Sequence, residues 1–375
     1  MLGSNSFHLV VARVDGGQLE GAGPPARARA PGGRAHPEKG LDGAARERAL
    51  GCLQRFGQRL RELPADCVRV VGTNTLRRAR NAADFIADAE AAIGHEIEVI
   101  GGHEEARLIY LGVAHSLAGG DGQRLVVDIG GGSTELVLGE HFAPHTMESL
   151  HMGCVSFTQR FFPDGRIRRS AMDEARLAAL MELEPVQGHF LARGWARSVG
   201  ASGTIRAIGG ALRAAGWTEG DITHPGLQRL ARALCKAGHV DAVRLKGVSN
   251  DRAQVLPGGV AILTAVFEAL GIDAMDAADG ALREGVLHDL VGRIHDDDIR
   301  ELTVEDLAAR YHVDVAHARR VERTALTLLE QAAGPWMLGD ARARRLLPLG
   351  GARARGRAGY LPQPVSQARL LHLAL

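Results

Sequence analysis

A glycine-rich turn between two apolar strands constrains this chain more than any other feature. Residues 125–140 read LVVDIGGGSTELVLGE, in which a strand carrying Asp128 enters the turn and a second strand, Leu136–Leu138, leaves it. The turn consists of Gly130, Gly131, Gly132, Ser133 and Thr134. Successive backbone N–H groups in such a turn form a concave nest that favours phosphate oxygens. Asp128 and Glu135 flank the turn, where one Mg²⁺ or one attacking water would meet both, but the pattern equally fits a glycine hairpin with two solvated acids.

A second copy of the same pattern opens the chain. Residues 2–12, LGSNSFHLVVA, align without a gap to residues 129–139, IGGGSTELVLG. The alignment predicts a duplicated domain with a phosphate-holding turn in each half. Met1 stands where the second copy has Asp128, and no strand precedes it. We therefore expect either that the first copy lacks this acid or that the chain begins one strand late.

Composition narrows the class of protein. A length of 375 residues fits two or three domains, and the formal net charge of +1 gives no indication of a nucleic-acid partner. Four cysteines without CxxC spacing predict a reducing, cytoplasmic location and no cysteine metal site. The longest apolar segment, Val260–Leu270, contains Glu268 and is too short to cross a bilayer, so no integral membrane segment is expected.

Alternating strand and helix patterns predict an α/β fold with a parallel-rich sheet and ligands at the strand ends. A buried strand over Val68–Thr73 precedes a helix predicted from Thr75 to Ile93, whose first turn holds Arg77. An arginine at the start of a helix favours the binding of an anion there. The same pattern also fits an ordinary surface arginine at position 77. A further strand, Glu96–Ile100, leads into a helix predicted over His103–Leu117.

Acidic and small residues mark further candidate positions. Glu104 and Glu105 lie in the first turn of the helix that begins near His103, where acids are also ordinary partners of the helix dipole. The small-residue turn 201–204 fits either phosphate contact or a tight packing corner. The composition and periodicity of the remaining segments predict a loop or disorder over residues 20–37 and helices over residues 301–333. They predict no packed domain over residues 348–375.

Six motifs together resemble one family. They are GSNSFHLVVA, VVGTNTLRRARN, VIGGHEEARLIYLGV, VVDIGGGSTELVLGE, SVGASGTIRAIGG and GALREGV. The chain resembles the exopolyphosphatase/guanosine pentaphosphate phosphohydrolase (Ppx/GppA) family over residues 1–20 and 44–345. The resemblance implies an α/β fold of duplicated actin-like (ribonuclease H-like) domains with a truncated C-terminal helical segment. The implied domains cover residues 1–118 and 119–298, with a helical remnant over 299–347 and an irregular tail over 348–375.

The family resemblance also implies a reaction and a site. The expected activity is exopolyphosphatase, the metal-assisted hydrolysis of terminal phosphate from inorganic polyphosphate. The alternative is 5′-phosphohydrolysis of guanosine pentaphosphate, with a role in the stringent response. Glu105 matches the carboxylate that activates water, Asp128 and Glu135 match the acids that bind Mg²⁺, and a homodimer is plausible. The implied phosphate-binding residues are Ser4, Asn5, Ser6, Arg77, Gly130, Gly131, Gly132, Ser133 and Thr134.

Three departures from the family pattern lead to further expectations. Met1 replaces the first aspartate, residues 20–37 replace ordered strands, and residues 348–375 replace a helical region. These changes suggest a frameshifted or misjoined coding sequence and predict poor turnover of long polyphosphate. Two rival functions stay open: a degenerate, non-catalytic binder of polyphosphate or an alarmone, and an actin-like kinase or nucleotide-gated ATPase.

Overall fold

The computed structural model describes residues 1–2, 6–15, 18–21, 26–29, 43–117, 122–294 and a few helical positions between 317 and 331. The chain divides into two compact units, Met1–Val291 and Gly292–Leu375. The positions described between 317 and 331 are helical, as predicted. The rest of the predicted 301–333 helices and the tail 348–375 lie outside the described residues.

The first unit combines short strands with longer helices. The strands are β1 (Ser6–Leu9), β2 (Ala12–Asp15), β3 (Gln18–Gly21), β4 (Ala26–Arg29), β5 (Val70–Gly72), β6 (Ile97–Val99), β7 (Arg124–Ile129), β8 (Thr134–Glu140), β9 (Ala143–Leu150), β10 (Arg197–Ala201), β11 (Ile222–Thr223) and β12 (Ala274–Ala277). The helices are α1 (Gly43–Leu60), α2 (Asn74–Arg78), α3 (Ala82–Ile93), α4 (Gly102–Ser116), α5 (Cys154–Phe161), α6 (Arg169–Arg193), α7 (Ser202–Ala214), α8 (His224–Ala237), α9 (Asn250–Ala253), α10 (Leu256–Leu270) and α11 (Leu282–Ile294). The predicted α/β class is confirmed.

A six-stranded mixed sheet forms the centre of the unit, in the order β11-β12-β10-β7-β8-β9. Strands β12, β10 and β7 run parallel, but β11 pairs antiparallel with β12, so the predicted parallel-rich sheet is wrong and the sheet is mixed. Strands β8 and β9 then return antiparallel, so the predicted hairpin is the start of a three-stranded meander. Strand β9 was not predicted, because its residues alternate between polar and apolar only weakly.

Both faces of β7 are covered by helices. Leu125, Val127 and Ile129 face a large core built with helices α5 to α10. Val126 faces a second core that includes residues of α4 and α11. Because side chains alternate along a strand, Asp128 lies on the same face as Val126, toward α4. The continuous apolar run of β7 follows from burial on both sides.

A smaller core holds the N-terminal part together. It joins α1 and α3 to strands β5 and β6, with Leu76 and Phe85 among its buried residues. The single helix predicted from Thr75 to Ile93 is wrong, because Ala79 adopts an extended conformation between α2 and α3. In one continuous helix, Leu76 and Phe85 would lie about two and a half turns apart and face opposite sides. The break allows both to reach the same core.

The predicted loop at residues 20–37 is also wrong in part. Strand β4 lies inside it and pairs antiparallel with β1, with Arg29 opposite Ser6, and β3 reaches Gly21. Backbone pairing, which does not require an apolar face, forms this strand, so composition alone could not reveal it. Across the part of the chain that the structure describes, every helix is too short or too polar to cross a membrane.

Candidate active site

Two buried carboxyl groups stand side by side at the end of the central hairpin. The β7–β8 register places Asp128 directly opposite Glu135, and these side chains are only 7% and 1% exposed. Burial, together with the charge of Glu105, raises the pKa of Asp128 to about 7. Burial and the charges of Glu105 and Asp128 raise the pKa of Glu135 well above its usual value. The pair is therefore a buried site that favours a proton or a cation.

The glycine turn that joins β7 to β8 leaves backbone donors available. The Gly130 N–H donates to the Ser133 carbonyl oxygen at 2.9 Å, and the Gly130 carbonyl accepts from the Cys154 N–H at 2.9 Å. The Gly131 carbonyl accepts from the first turn of α5. Within the described residues, no backbone hydrogen bond uses the N–H groups of Gly131 or Gly132. These two donors suit a phosphate oxygen.

The turn is held in shape by a close approach from the next loop. A Cβ atom at Gly153 would overlap the backbone of Gly131 and Gly132. Glycine at position 153 is therefore required by space, since backbone atoms cannot move aside as a flexible side chain can. The contact fixes the turn against the start of α5 and limits the ways in which its N–H groups can point.

Glu105 reaches the carboxyl pair from α4. Its Oε2 accepts from Arg77 Nη1 at 2.8 Å, and the same Nη1 donates to the Ile100 carbonyl oxygen at 2.7 Å. Burial raises the pKa of Glu105, and Arg77 opposes that shift. The charge of Glu105 raises the pKa of both Asp128 and Glu135, so the three acids lie near one another.

Strand β9 links α4 to the carboxyl pair. The Ser149 Oγ donates to Glu135 Oε1 at 2.8 Å. A Cβ atom at Gly102, in the first turn of α4, would fall 2.6 Å from the Ser149 Cβ. The first turn of α4 therefore packs directly against the residue that orients Glu135.

The structure brings most of the predicted site residues together. Glu105, Arg77, Asp128 and Glu135 meet beside the turn 130–134. The expectation that Arg77 opens a long helix is wrong, since α2 is a five-residue helix that begins at Asn74 and ends at Arg78. The hydrogen bonds of Arg77, and not a helix dipole, place its guanidinium. The predicted residues Ser4 and Asn5 lie outside the described residues, as does the side chain of Ser6.

Sequence reasoning missed several neighbours of this site. Asn74 contacts the turn, since a Cβ at Gly132 would lie 3.1 Å from Asn74 Oδ1. The charge of Arg206, on α7, lowers the pKa of Asp128 against the larger effect of burial. Ser149 was missed because β9 was not predicted. The sequence did carry a signal for Arg206, which follows the end of strand β10 by about one helical turn. Because β10 runs parallel beside β7, the end of β10 lies next to Asp128.

The donor atoms fit a hard divalent cation. Within the described ranges, no group of three or more His, Cys, Asp or Glu side chains is spaced to hold a metal. Mg²⁺, however, is usually bound by one or two carboxylates together with waters and substrate phosphates. The buried pair of Asp128 and Glu135 beside the phosphate-favouring turn provides two such carboxylates, so these residues fit that ion.

Comparison with known proteins identifies the family. The sequence profile described as the Ppx/GppA phosphatase family matches residues 33–294, and the profile described as Ppx/GppA phosphatase, domain III, matches residues 299–352. The chain belongs to the Ppx/GppA phosphatase family. The enzyme class expected from the resemblance, a hydrolase of phosphoric anhydrides, is confirmed.

Relatives of the Ppx/GppA chain align over most of its length. A guanosine-5′-triphosphate,3′-diphosphate pyrophosphatase of Aeromonas hydrophila is 43% identical over 346 residues, which cover 92% of this chain and 69% of the relative. The protein of the same description from Vibrio cholerae is 42% identical over 348 residues, with the same coverage of each chain.

Solved structures agree with the family assignment. The crystal structure of an exopolyphosphatase-like protein has a TM-score of 0.70 at 26% identity and covers 78% of this chain and 96% of that one. The Aquifex aeolicus family member has a TM-score of 0.64 at 26% identity and covers 79% and 96%. The actin-like fold predicted from the sequence is therefore confirmed.

Proposed function

We propose that this Ppx/GppA chain hydrolyses the 5′-terminal phosphate of guanosine pentaphosphate by metal-assisted attack of water. The observation that carries the proposal is the convergence of Glu105, Asp128 and Glu135 beside a turn with two available N–H groups. The guanosine substrate is supported by relatives at 41–43% identity, each described as a pyrophosphatase of that nucleotide.

Phosphoryl transfer depends mainly on positioning and on charge neutralisation. The N–H groups of Gly131 and Gly132 would bind oxygens of the terminal phosphate, and Arg77 would supply a guanidinium beside them. When bound, Mg²⁺ held by Asp128 and Glu135 would neutralise charge on the phosphate oxygens. The raised pKa of Glu105 suits a general base that works near neutral pH.

The chemical step balances with water as the only co-reactant. The water oxygen forms a bond to the terminal phosphorus while the bond from that phosphorus to the bridging oxygen breaks. Glu105 takes a proton from the water, and the bridging oxygen leaves with the nucleotide diphosphate end. The products are inorganic phosphate and the nucleotide shortened by one phosphate.

Inorganic polyphosphate is the second candidate substrate. It is the main expectation from the sequence, and the neighbouring crystal structure of an exopolyphosphatase-like protein favours it. Both substrates present a terminal phosphoanhydride, so the same four side chains would serve either. A cytoplasmic location stays a prediction; it is supported by the absence of disulfides, since Cys52, Cys67, Cys154 and Cys235 are all free.

Phosphate release with Mg²⁺ tests the proposal. The purified chain is given guanosine pentaphosphate or polyphosphate, and kcat/KM is compared between them. We expect the nucleotide to be preferred and Glu105→Gln to lower kcat by about a hundredfold or more, the scale of a lost general base. Glu268→Gln is the matched control, because Glu268 is ion-paired with Arg176 at 2.5 Å on the opposite side of the sheet.

Four outcomes would contradict the proposal. Full activity of the Glu105→Gln variant would show that Glu105 is not the general base. Tight nucleotide binding without phosphate release would indicate a non-catalytic binder. Transfer of phosphate to a sugar acceptor would indicate a kinase. A higher kcat/KM for polyphosphate would keep the reaction but replace the substrate.

A further inference from the structure

Helix α11 lies in direct backbone contact with α4, the helix that carries Glu105. A Cβ atom at Gly285 on α11 would overlap the Leu108 carbonyl oxygen of α4. A Cβ atom at Gly112 on α4 would overlap the Ala281 carbonyl oxygen. Two glycines thus let the helices approach until their backbones touch, and any movement of α11 is passed to α4.

A buried charge network also joins α11 to α4 beside this contact. Asp289 of α11 accepts from Arg107 Nη2 at 2.5 Å through Oδ1 and from Arg69 Nη1 at 2.6 Å through Oδ2. The Asp289 residue is 5% exposed. Its carboxylate therefore bridges the guanidinium of a residue on α4 and that of Arg69, just before β5. A buried carboxylate that accepts hydrogen bonds from two arginines is held in a fixed position.

The same network distinguishes two adjacent glutamates. Arg107 donates from Nε and Nη2 to Glu104, at 2.8 and 2.9 Å. Glu104 and Glu105 project about 100° apart around the helix axis, because an α-helix has about 3.6 residues per turn. With Glu104 held by Arg107, Glu105 faces Arg77 and the carboxyl pair. Rotation of α4 about its axis would replace one acid with the other.

We propose that Asp289 is a positioning residue that, through Arg107, sets the rotation of α4 and so holds Glu105 at the reacting water. The inference rests on the proposed role of Glu105 as the base. Nothing in the proposed reaction requires Asp289 to touch substrate. Its loss changes where the base lies and leaves the phosphate-binding turn in place, so the effect falls on kcat and not on KM.

Asp289→Asn tests the positioning role, because the amide keeps the shape and removes the charge. We expect kcat to fall about ten- to a hundredfold, since a displacement of about 1 Å at a reacting group can have an effect of that size. KM should change less than about threefold. The matched control is again Glu268→Gln, which removes an acid that links α10 to α6 and should leave kcat unchanged.

A double variant separates positioning from general stability. In the Glu105→Gln background, Asp289→Asn should change the residual rate by less than about twofold, because no base remains to be positioned. An equal loss in both backgrounds, or a change confined to KM, would overturn the inference. If Glu105→Gln itself is fully active, the proposed function fails first, and the two failures are distinguishable.

Folding is checked by circular dichroism at the assay temperature. If Asp289→Asn does not fold, Arg107→Lys provides the second test, since lysine keeps the charge but cannot form the forked pair with Glu104. The folded Arg107→Lys variant should show the same loss of kcat with little change in KM. Wild-type kcat in that variant would overturn the inference.

Discussion

Replacing the buried Asp128 by asparagine should stabilise the metal-free protein while abolishing its activity. The pKa of Asp128 is raised from 3.8 to about 7, so the ionised form is unfavourable in the folded state. A folded pKa above the unfolded one means that stability is lost as pH rises through the window from about 4 to 7. The pKa of Asp128 rises by about 3, and each pH unit corresponds to about 1.36 kcal/mol. The upper limit for the stability lost through ionisation of Asp128 above pH 7 is therefore about 4 kcal/mol. Asparagine does not ionise, so the Asp128→Asn variant avoids this loss of stability.

Thermal unfolding in EDTA, from pH 5 to pH 8.5, measures this difference. At pH 8 we expect the Tm of Asp128→Asn to exceed that of the wild type by about 5 °C or more, because each kcal/mol is worth about 2–4 °C in a domain of 150–250 residues. The gap should shrink steadily toward pH 5. Added Mg²⁺ should raise the Tm of the wild type more than that of the variant, since an ion that binds only the folded state stabilises it.

Two results would refute this reasoning. A variant less stable than the wild type at pH 8 would mean that the Asp128 carboxylate makes a net favourable contribution without metal. A stability difference independent of pH would mean that asparagine acts through packing and not through ionisation. Glu268→Gln, measured in parallel, shows what the loss of an exposed ion-paired acid does over the same range.

Three further predictions follow from the site and the helix contact. Arg77→Lys should lower kcat/KM about tenfold in steady-state assays, because lysine replaces the planar guanidinium with a point charge. An unchanged kcat/KM would contradict a functional role for the ion pair between Arg77 and Glu105. Gly153→Ala should lower stability by about 1–3 kcal/mol, the scale of an overpacked site, and reduce phosphate release, since its Cβ would overlap the turn. The rings of His115 and His288 stack with their centroids 3.6 Å apart, and burial, followed by the charge of His115, lowers the pKa of His288 to about 4. Because the folded state favours neutral His288, stability should fall as the pH drops from about 6.5 toward 4. His288→Phe should flatten that decline in a pH–Tm profile, and an unchanged profile would contradict this prediction.

The sequence predicted the central hairpin well because local rules determine it. A β7–β8 register set by a tight glycine turn requires Asp128 and Glu135 to be cross-strand neighbours. The same locality explains the prediction of α4, whose bounds differ from the expected 103–117 by one residue at each end. Short-range backbone geometry is readable from short stretches of sequence.

Tertiary effects account for what the sequence did not predict. The break at Ala79 follows from the need of Leu76 and Phe85 to reach one core, which no local propensity expresses. Strand β4 exists through its pairing with β1. Asp289 lies 182 residues from Arg107 in the chain, so its role depends on a helix packing that periodicity alone could not supply.

The site residues therefore differ in how firmly they are held. Asp128 and Glu135 are fixed to each other by backbone hydrogen bonds of adjacent strands, in the middle of a six-stranded sheet. Glu105 stands on a separate helix, α4, which is held to the sheet by apolar packing, by side-chain bonds and by glycine contacts, and not by strand pairing. Substitutions that move α4 should consequently reduce turnover before they affect phosphate binding. In the proposed reaction, Glu105 as general base would be the adjustable part of the site, and the carboxyl pair would be the rigid part.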